Sequence, residues 1–143
     1  MRVEYRKLTE SDVKAIIEIA KLSFPKVWKE SEFAYFLNHD CGLCCGAFVE
    51  TQLIGYFIGL FVRGELDVVS IATDPRRRRT KIAQSLFEYV WQKYEVVEGF
   101  LEVDTENHAA LKLYEKIGFQ KYGVRRKYYE GVRDAVLMKK TAG

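Results

Sequence analysis

Glu102 and Tyr114 stand twelve positions apart in a stretch, Phe100 to Gln120, that reads FLEVDTENHAALKLYEKIGFQ. Glu102 falls in a short apolar run with strand character, and Tyr114 shares a helical spacing with Ala110 and Ile117. A polar turn carrying Asn107 separates them. A strand that delivers a carboxylate, followed by a helix that delivers a phenol to the same cleft, supplies the residue types of an acid/base pair. The residues alone leave plainer readings open: a solvated or ion-paired strand carboxylate, a core tyrosine, and an Asn107 that only caps the helix.

A second constellation precedes the first. Leu66 to Thr73 reads as a strand, Asp74-Pro75 breaks it, and Arg76-Arg77-Arg78-Arg79-Thr80-Lys81 forms a basic loop before a helix at Ile82. That order aims backbone N–H groups and the positive end of a helix dipole at phosphate. An anionic cofactor fits it. Clustered arginines bind any phosphate, so a nucleic-acid contact is the competing reading.

Positioning these groups is a task for one domain, 1–143, which a chain of this length is expected to form. Hydrophobic residues make up 48% and charged residues 30%, the balance of a soluble globular protein, and no apolar run approaches the ~20 residues of a membrane span. The first residues, MRVEYRK, have no apolar core of a signal peptide, so a cytoplasmic protein without a membrane partner is expected. Net charge is only +3, yet five of the 23 cations lie between Arg76 and Lys81. Cys41, Cys44 and Cys45 lie in one segment with no second cluster, so no metal site is expected and the thiols read as small hydrophobes. His39 and His108 lack partners at ligand spacing.

The periodicities give an α/β order. A strand over Val3 to Lys7 precedes a helix with Val13, Ile16, Ile17 and Ala20 on one face, and a second helix runs from about Lys29 to Asn38 beyond Pro25. Three strands over Leu43 to Glu50, Gln52 to Val62 and Glu65 to Thr73 read as an antiparallel meander. A long helix from about Arg79 to Tyr94 then leads to a strand over Gly99 to Asp104, which makes a parallel crossover. A helix over Asn107 to Ile117 ends at Gly118, and a final strand pair turns near Glu130-Gly131.

Together these pieces resemble the GNAT superfamily of N-acetyltransferases, within it the ribosomal-protein alanine acetyltransferases and archaeal N-terminal acetyltransferases. The resemblance spans nearly the whole chain: Ser23-Phe24-Pro25 with Trp28 and Phe33, Ile71-Ala72-Thr73-Asp74-Pro75, the LEV and LYEKIGF block, Arg125-Arg126-Lys127-Tyr128-Tyr129, and Asp134-Ala135-Val136-Leu137-Met138. In the family's cofactor loop a Gly stands where this chain has Lys81, within Arg78-Arg79-Thr80-Lys81-Ile82-Ala83.

The resemblance implies a mixed, mostly antiparallel sheet with flanking helices and a central parallel strand pair splayed for acetyl-CoA. It implies cofactor contacts from Ile71, Ala72, Thr73, Arg78, Arg79, Thr80, Lys81, Ile82, Ala83, Asn107 and Tyr114, and an acceptor slot built from Trp28, Phe33, Tyr128 and Tyr129. Glu102 becomes the base and Tyr114 the group that assists the departing sulfur. The activity implied is direct transfer of acetyl from acetyl-CoA to the α-amine of a protein N-terminus, possible ribosomal proteins included, by a monomer or weak homo-oligomer. An α-amine titrates near ~7.7 to 8.0 and lysine near ~10.4, so a modest base suffices for the former. A small-molecule amine as acceptor is one alternative. A non-catalytic module whose Arg-rich loop binds nucleic acid or protein is the other, disfavoured by the retained Glu102 and Tyr114.

Overall fold

A computed structural model of the chain describes residues 2–129 and 133–142, with the side chains of 78–80 and 127–129 outside the description. Seven strands form one sheet: β1 Glu4–Lys7, β2 Gly42–Val49, β3 Gln52–Val62, β4 Glu65–Thr73, β5 Glu98–Asp104, β6 Gln120–Tyr129 and β7 Arg133–Thr141, in the order β1-β2-β3-β4-β5-β7-β6. Four helices accompany them: α1 Val13–Ser23, α2 Glu30–Asn38, α3 Ile82–Lys93 and α4 His108–Lys116. The turn expected at Glu130-Gly131 lies outside the described residues. No described helix is long and apolar enough to cross a membrane.

Both faces of the sheet are covered around β3, whose residues from Leu53 to Gly59 are all buried. Continuous burial fits a central strand, and its run of apolar residues follows from it. On one face α1 and α2 pack Ile16, Ala20 and Phe33 against Phe48, Tyr56 and Ile58. On the other, Leu86, Phe87 and Val90 of α3 and Tyr114 of α4 pack against Phe57, Ile71, Leu101 and Val103. Cys44 and Cys45 are buried within β2, as expected of small hydrophobes.

The sheet is antiparallel everywhere except between β4 and β5. That parallel pair holds at only three rungs, Glu65 with Glu98, Leu66 with Gly99 and Asp67 with Phe100. Beyond Asp67 each strand keeps its outer neighbour and loses the inner one. The register of β4 against β3 slips just there, between Ile58 and Gly59, leaving Val69 as an extra residue in β4. Such a bulge bends its strand and increases local twist, which turns β4 away from β5. The splay implied by the resemblance is present.

One expectation on this side is corrected. The start at about Arg79 is too early and the start at Ile82 expected after the basic loop holds, because Pro75–Thr80 forms a separate 3-10 segment capped by Asp74, and Lys81 then adopts a left-handed φ of 55°. Asp74 accepts from the Arg76 N–H at 3.0 Å. A left-handed residue interrupts the helical hydrogen-bond ladder.

Candidate active site

The opening between β4 and β5 is a cleft of about 600 Å³. Its walls are Ser70, Ile71, Ala72 and Thr73 from β4, Glu102, Val103 and Asp104 from β5, and Asn107, Ala110 and Tyr114 from the α4 segment. Glu102 and Tyr114 are therefore brought together as expected. Strand alternation explains Glu102: Leu101 and Val103 point into the core under α3 and α4, so Glu102 between them points to the opposite, open face.

Glu102 is not alone there. Arg125 of β6 places Nη2 2.9 Å from Glu102 Oε1, with side chains 53% and 29% exposed, so the carboxylate is ion-paired rather than simply buried. Asp67, at the last paired rung of β4, has its carboxyl raised above the ordinary value, first by burial and second by the charge of Glu102. Farther along β5, Asp104 Oδ2 accepts from Arg133 Nε at 2.6 Å, and Oδ1 accepts from the Glu106 N–H at 2.9 Å. Opposing effects act on Asp104: burial raises its carboxyl, and the Glu106 N–H and Arg133 bring it below the ordinary value.

Tyr114 is 8% exposed. Its helix ends in a Schellman closure: Gly118 takes φ 108°, its N–H donates to Glu115 at 3.1 Å, and the Phe119 N–H donates to the Tyr114 carbonyl at 2.9 Å. Asn107 caps the other end of α4, its Oδ1 accepting from the Ala110 N–H at 3.2 Å. It faces the cleft at the same time.

Across the cleft, the segment between α1 and α2 supplies Phe24, Lys26, Val27 and Trp28. Trp28 rests on Phe33 at 5.0 Å and Phe36 at 5.4 Å between ring centroids. Phe33 is 1% exposed, so it backs Trp28 more than it offers a surface. Ser23 Oγ donates to the Thr73 carbonyl at 3.3 Å and ties the end of α1 to the end of β4. Deeper in, Tyr56 Oη and Ser70 Oγ lie 3.1 Å apart, and burial pushes the Tyr56 phenol up to about 12.

The loop residues divide. Ala83 lines the cleft, whereas the Ile82 side chain is 3% exposed in the core, leaving only its backbone to face outward. Lys81 is exposed. Arg76 is committed to Asp74, Nη2 to Oδ2 at 2.7 Å, and that hydrogen bond above all lowers the Asp74 carboxyl. The side chains of Arg78, Arg79, Thr80, Tyr128 and Tyr129 lie outside the described residues.

Sequence reasoning missed Arg125, Asp67, Tyr56 and Ser70. Asp67 and Ser70 were open to detection, since a polar residue in an apolar strand beside a parallel crossover marks a cleft edge. Among the described residues, no group of three or more His, Cys, Asp or Glu could hold a metal ion.

An extended ligand with amide groups and an anionic end fits this geometry. The inner edge of β4 beyond Asp67 offers backbone groups that β5 does not pair, and buried backbone groups demand partners. The start of α3 adds N–H donors for phosphate.

The description "Acetyltransferase (GNAT) family" belongs to a family model that matches residues 13–119. The chain is 30% identical to the ribosomal protein bS18-alanine N-acetyltransferase of Salmonella typhimurium, over 92% of each chain. It is 31% identical to an N-alpha-acetyltransferase of Saccharolobus solfataricus, over 93% of this chain and 89% of that one. The crystal structure of the ribosomal-protein-S18-alanine N-acetyltransferase from Escherichia coli superposes with a TM-score of 0.87 at 28% identity, covering 99% of this chain and 97% of that one. With a splayed parallel pair, an acid and a phenol on its walls, and a family match across most of its length, the chain belongs to the acetyltransferase (GNAT) family.

Proposed function

We propose that this protein transfers acetyl from acetyl-CoA to the α-amino group of a protein N-terminus, directly within a ternary complex. The observation that carries the proposal is the cleft between β4 and β5, which Glu102 and Tyr114 both line. The similarity to acetyltransferases of protein N-termini supports the choice of acceptor. Acetyl-CoA, when bound, supplies an activated acyl group on a thiol leaving group.

The residues of the chain do the rest. The backbone of Ile71, Ala72 and Thr73 holds the pantetheine arm by strand-like pairing, and the N–H groups of Ile82 and Ala83 with the Arg78 to Lys81 loop hold its phosphates. Asn107 fixes the start of α4 while facing the arm. Trp28, backed by Phe33, and Tyr128 and Tyr129 confine the acceptor's first residues. A Glu102 oxygen takes the proton leaving the acceptor nitrogen, directly or through one water. Tyr114 donates its phenolic proton toward the departing sulfur. Of the β2 cysteines, Cys44 is buried under α1 and α2 and Cys45 on the opposite face, and direct transfer needs neither.

A library of N-terminal peptides, assayed by acetyl-CoA consumption, tests this reading. Acetylation restricted to the α-amine of a subset of peptides is expected. Consumption with small amines but with no peptide would overturn the choice of acceptor, and consumption with neither would overturn the activity.

A further inference from the structure

We infer that Arg125 is a positioning residue for the transfer reaction: reaching over from the edge strand, its guanidinium fixes the Glu102 carboxylate in the cleft as an oriented proton acceptor. The inference rests on the reading of Glu102 as the base. It starts from geometry. Arg125 and Glu102 meet at 2.9 Å although β7 lies between their strands. The register shows how: Glu102 stands opposite Leu137 of β7, and Arg125 opposite Ala135, so the long side chain crosses β7 diagonally. The small Ala135 leaves its path open, and Gly123, opposite Leu137 on the other flank, adds no bulk.

Two elements bring charge to Glu102: β6 gives Arg125 and β4 gives Asp67, while β7 places the uncharged Leu137 opposite it. Tyr114 of α4 lines the same cleft. A guanidinium beside a carboxylate favours its ionised form, and a second carboxylate opposes it. Asp67 already responds to Glu102, since that charge contributes to raising its carboxyl. Orientation is the second effect. The planar guanidinium, with Nη2 against Oε1, holds a carboxylate in one rotamer better than a freely rotating ammonium does.

The test uses the whole chain labelled with carbon-13 at the glutamate carboxyls. Glu102→Gln removes one resonance and so assigns it. In Arg125→Gln that resonance is expected to move and broaden, because the carboxylate loses the partner that holds it at 2.9 Å, and Arg125→Lys restores it in part. On an accepted peptide, Arg125→Gln lowers kcat about tenfold or more with the KM for acetyl-CoA unchanged, and Arg125→Lys recovers part of the loss. An unmoved resonance with unchanged kcat in folded Arg125→Gln overturns the inference. Should that variant fail to fold, Arg125→Lys takes its place, and a parent kcat with an unmoved resonance there overturns the inference instead. Failure of the base reading looks different: Glu102→Gln would turn over at the parent rate while the resonance still responds to Arg125→Gln.

Discussion

The rings of Tyr114 and Phe119 meet edge to face with centroids 5.8 Å apart, across the turn that ends α4. The same two residues are joined through the backbone, where the Phe119 N–H donates to the Tyr114 carbonyl. A phenol proposed to serve the leaving sulfur is thus held at its base by a helix closure and at its ring by the residue after that closure. Both constraints depend on Gly118, whose φ of 108° lies where side chains are disfavoured.

Gly118→Ala is expected to lower stability by about 1–2 kcal/mol, the cost of forcing a side chain into left-handed backbone. An added Cβ would also meet Lys140 Nζ, which can swing aside. Because the closure sets Tyr114, kcat should fall several-fold as well. Urea melts and peptide acetylation check both, and an unchanged kcat in a destabilised variant would show that Tyr114 does not depend on the closure.

Lys81 presents the opposite case, a side chain where the backbone favours glycine, with φ 55° and ψ 36°. In Lys81→Gly the relief of about 1–2 kcal/mol is partly offset by about 0.4–1 kcal/mol of added chain freedom in the unfolded state. A small net gain in apo stability is expected. The rise in Tm caused by acetyl-CoA should nevertheless shrink, since a cation beside the phosphates is gone. A larger ligand-induced rise would mean that Lys81 obstructs the loop instead.

Glu102→Gln is expected to lower turnover by the ~10² to 10⁴ typical of losing a general base, with acetyl-CoA binding retained. The deficit should narrow toward high pH, where the acceptor amine loses its proton unaided. Tyr114→Phe keeps the packing against Phe119 and removes only the hydroxyl, so its deficit should be nearly flat with pH. Wild-type rates at pH 7 in both variants would dismiss the acid/base assignment.

A pH dependence of folding is expected from Asp12. Its carboxylate, 11% exposed, accepts from Arg6 Nη1 and Nη2 at 3.0 Å each and from the Thr9 N–H at 2.8 Å. The Arg6 hydrogen bonds lead in holding this carboxyl below its ordinary value, against the opposing effect of burial. A depressed folded value stabilises the protein above the unfolded value of ~3.9 and ceases to do so as pH falls through the folded one. Asp12→Asn should therefore cost about 1 kcal/mol at pH 7, discounted because Arg6 is half open to solvent. The gap should close below pH ~3.9. Denaturation at pH 7, 5 and 3 measures it, and a gap undiminished at pH 3 would refute the linkage.

Local pattern carried most of the fold. Strand boundaries at Gln52, Val62, Glu65 and Thr73 follow from alternation and from the Arg63-Gly64 turn, and they match the structure. Glu102 and Tyr114 were legible because a strand, a turn and a helix in immediate succession fix their relation within one short segment. Arg125 was not. Its meeting with Glu102 depends on β7 inserting between β5 and β6, a pairing of residues distant in sequence that periodicity does not encode. Lys81 was legible as an oddity of type, but its left-handed backbone follows from the separate 3-10 turn before it, which no spacing of apolar residues announces. Ile82 illustrates the same limit, since a loop position expected to face a ligand directs its side chain inward.

The three-rung junction between β4 and β5 leaves β4 with two unlike edges over one length. Beyond the Val69 bulge, amide hydrogens directed toward β3 are locked in a ladder, while those directed across the gap have no strand to hold them. Exchange with deuterated solvent should therefore be slow and fast by turns along Ser70 to Thr73, a comb within a single strand, and a chain laid into the gap would slow only the fast teeth.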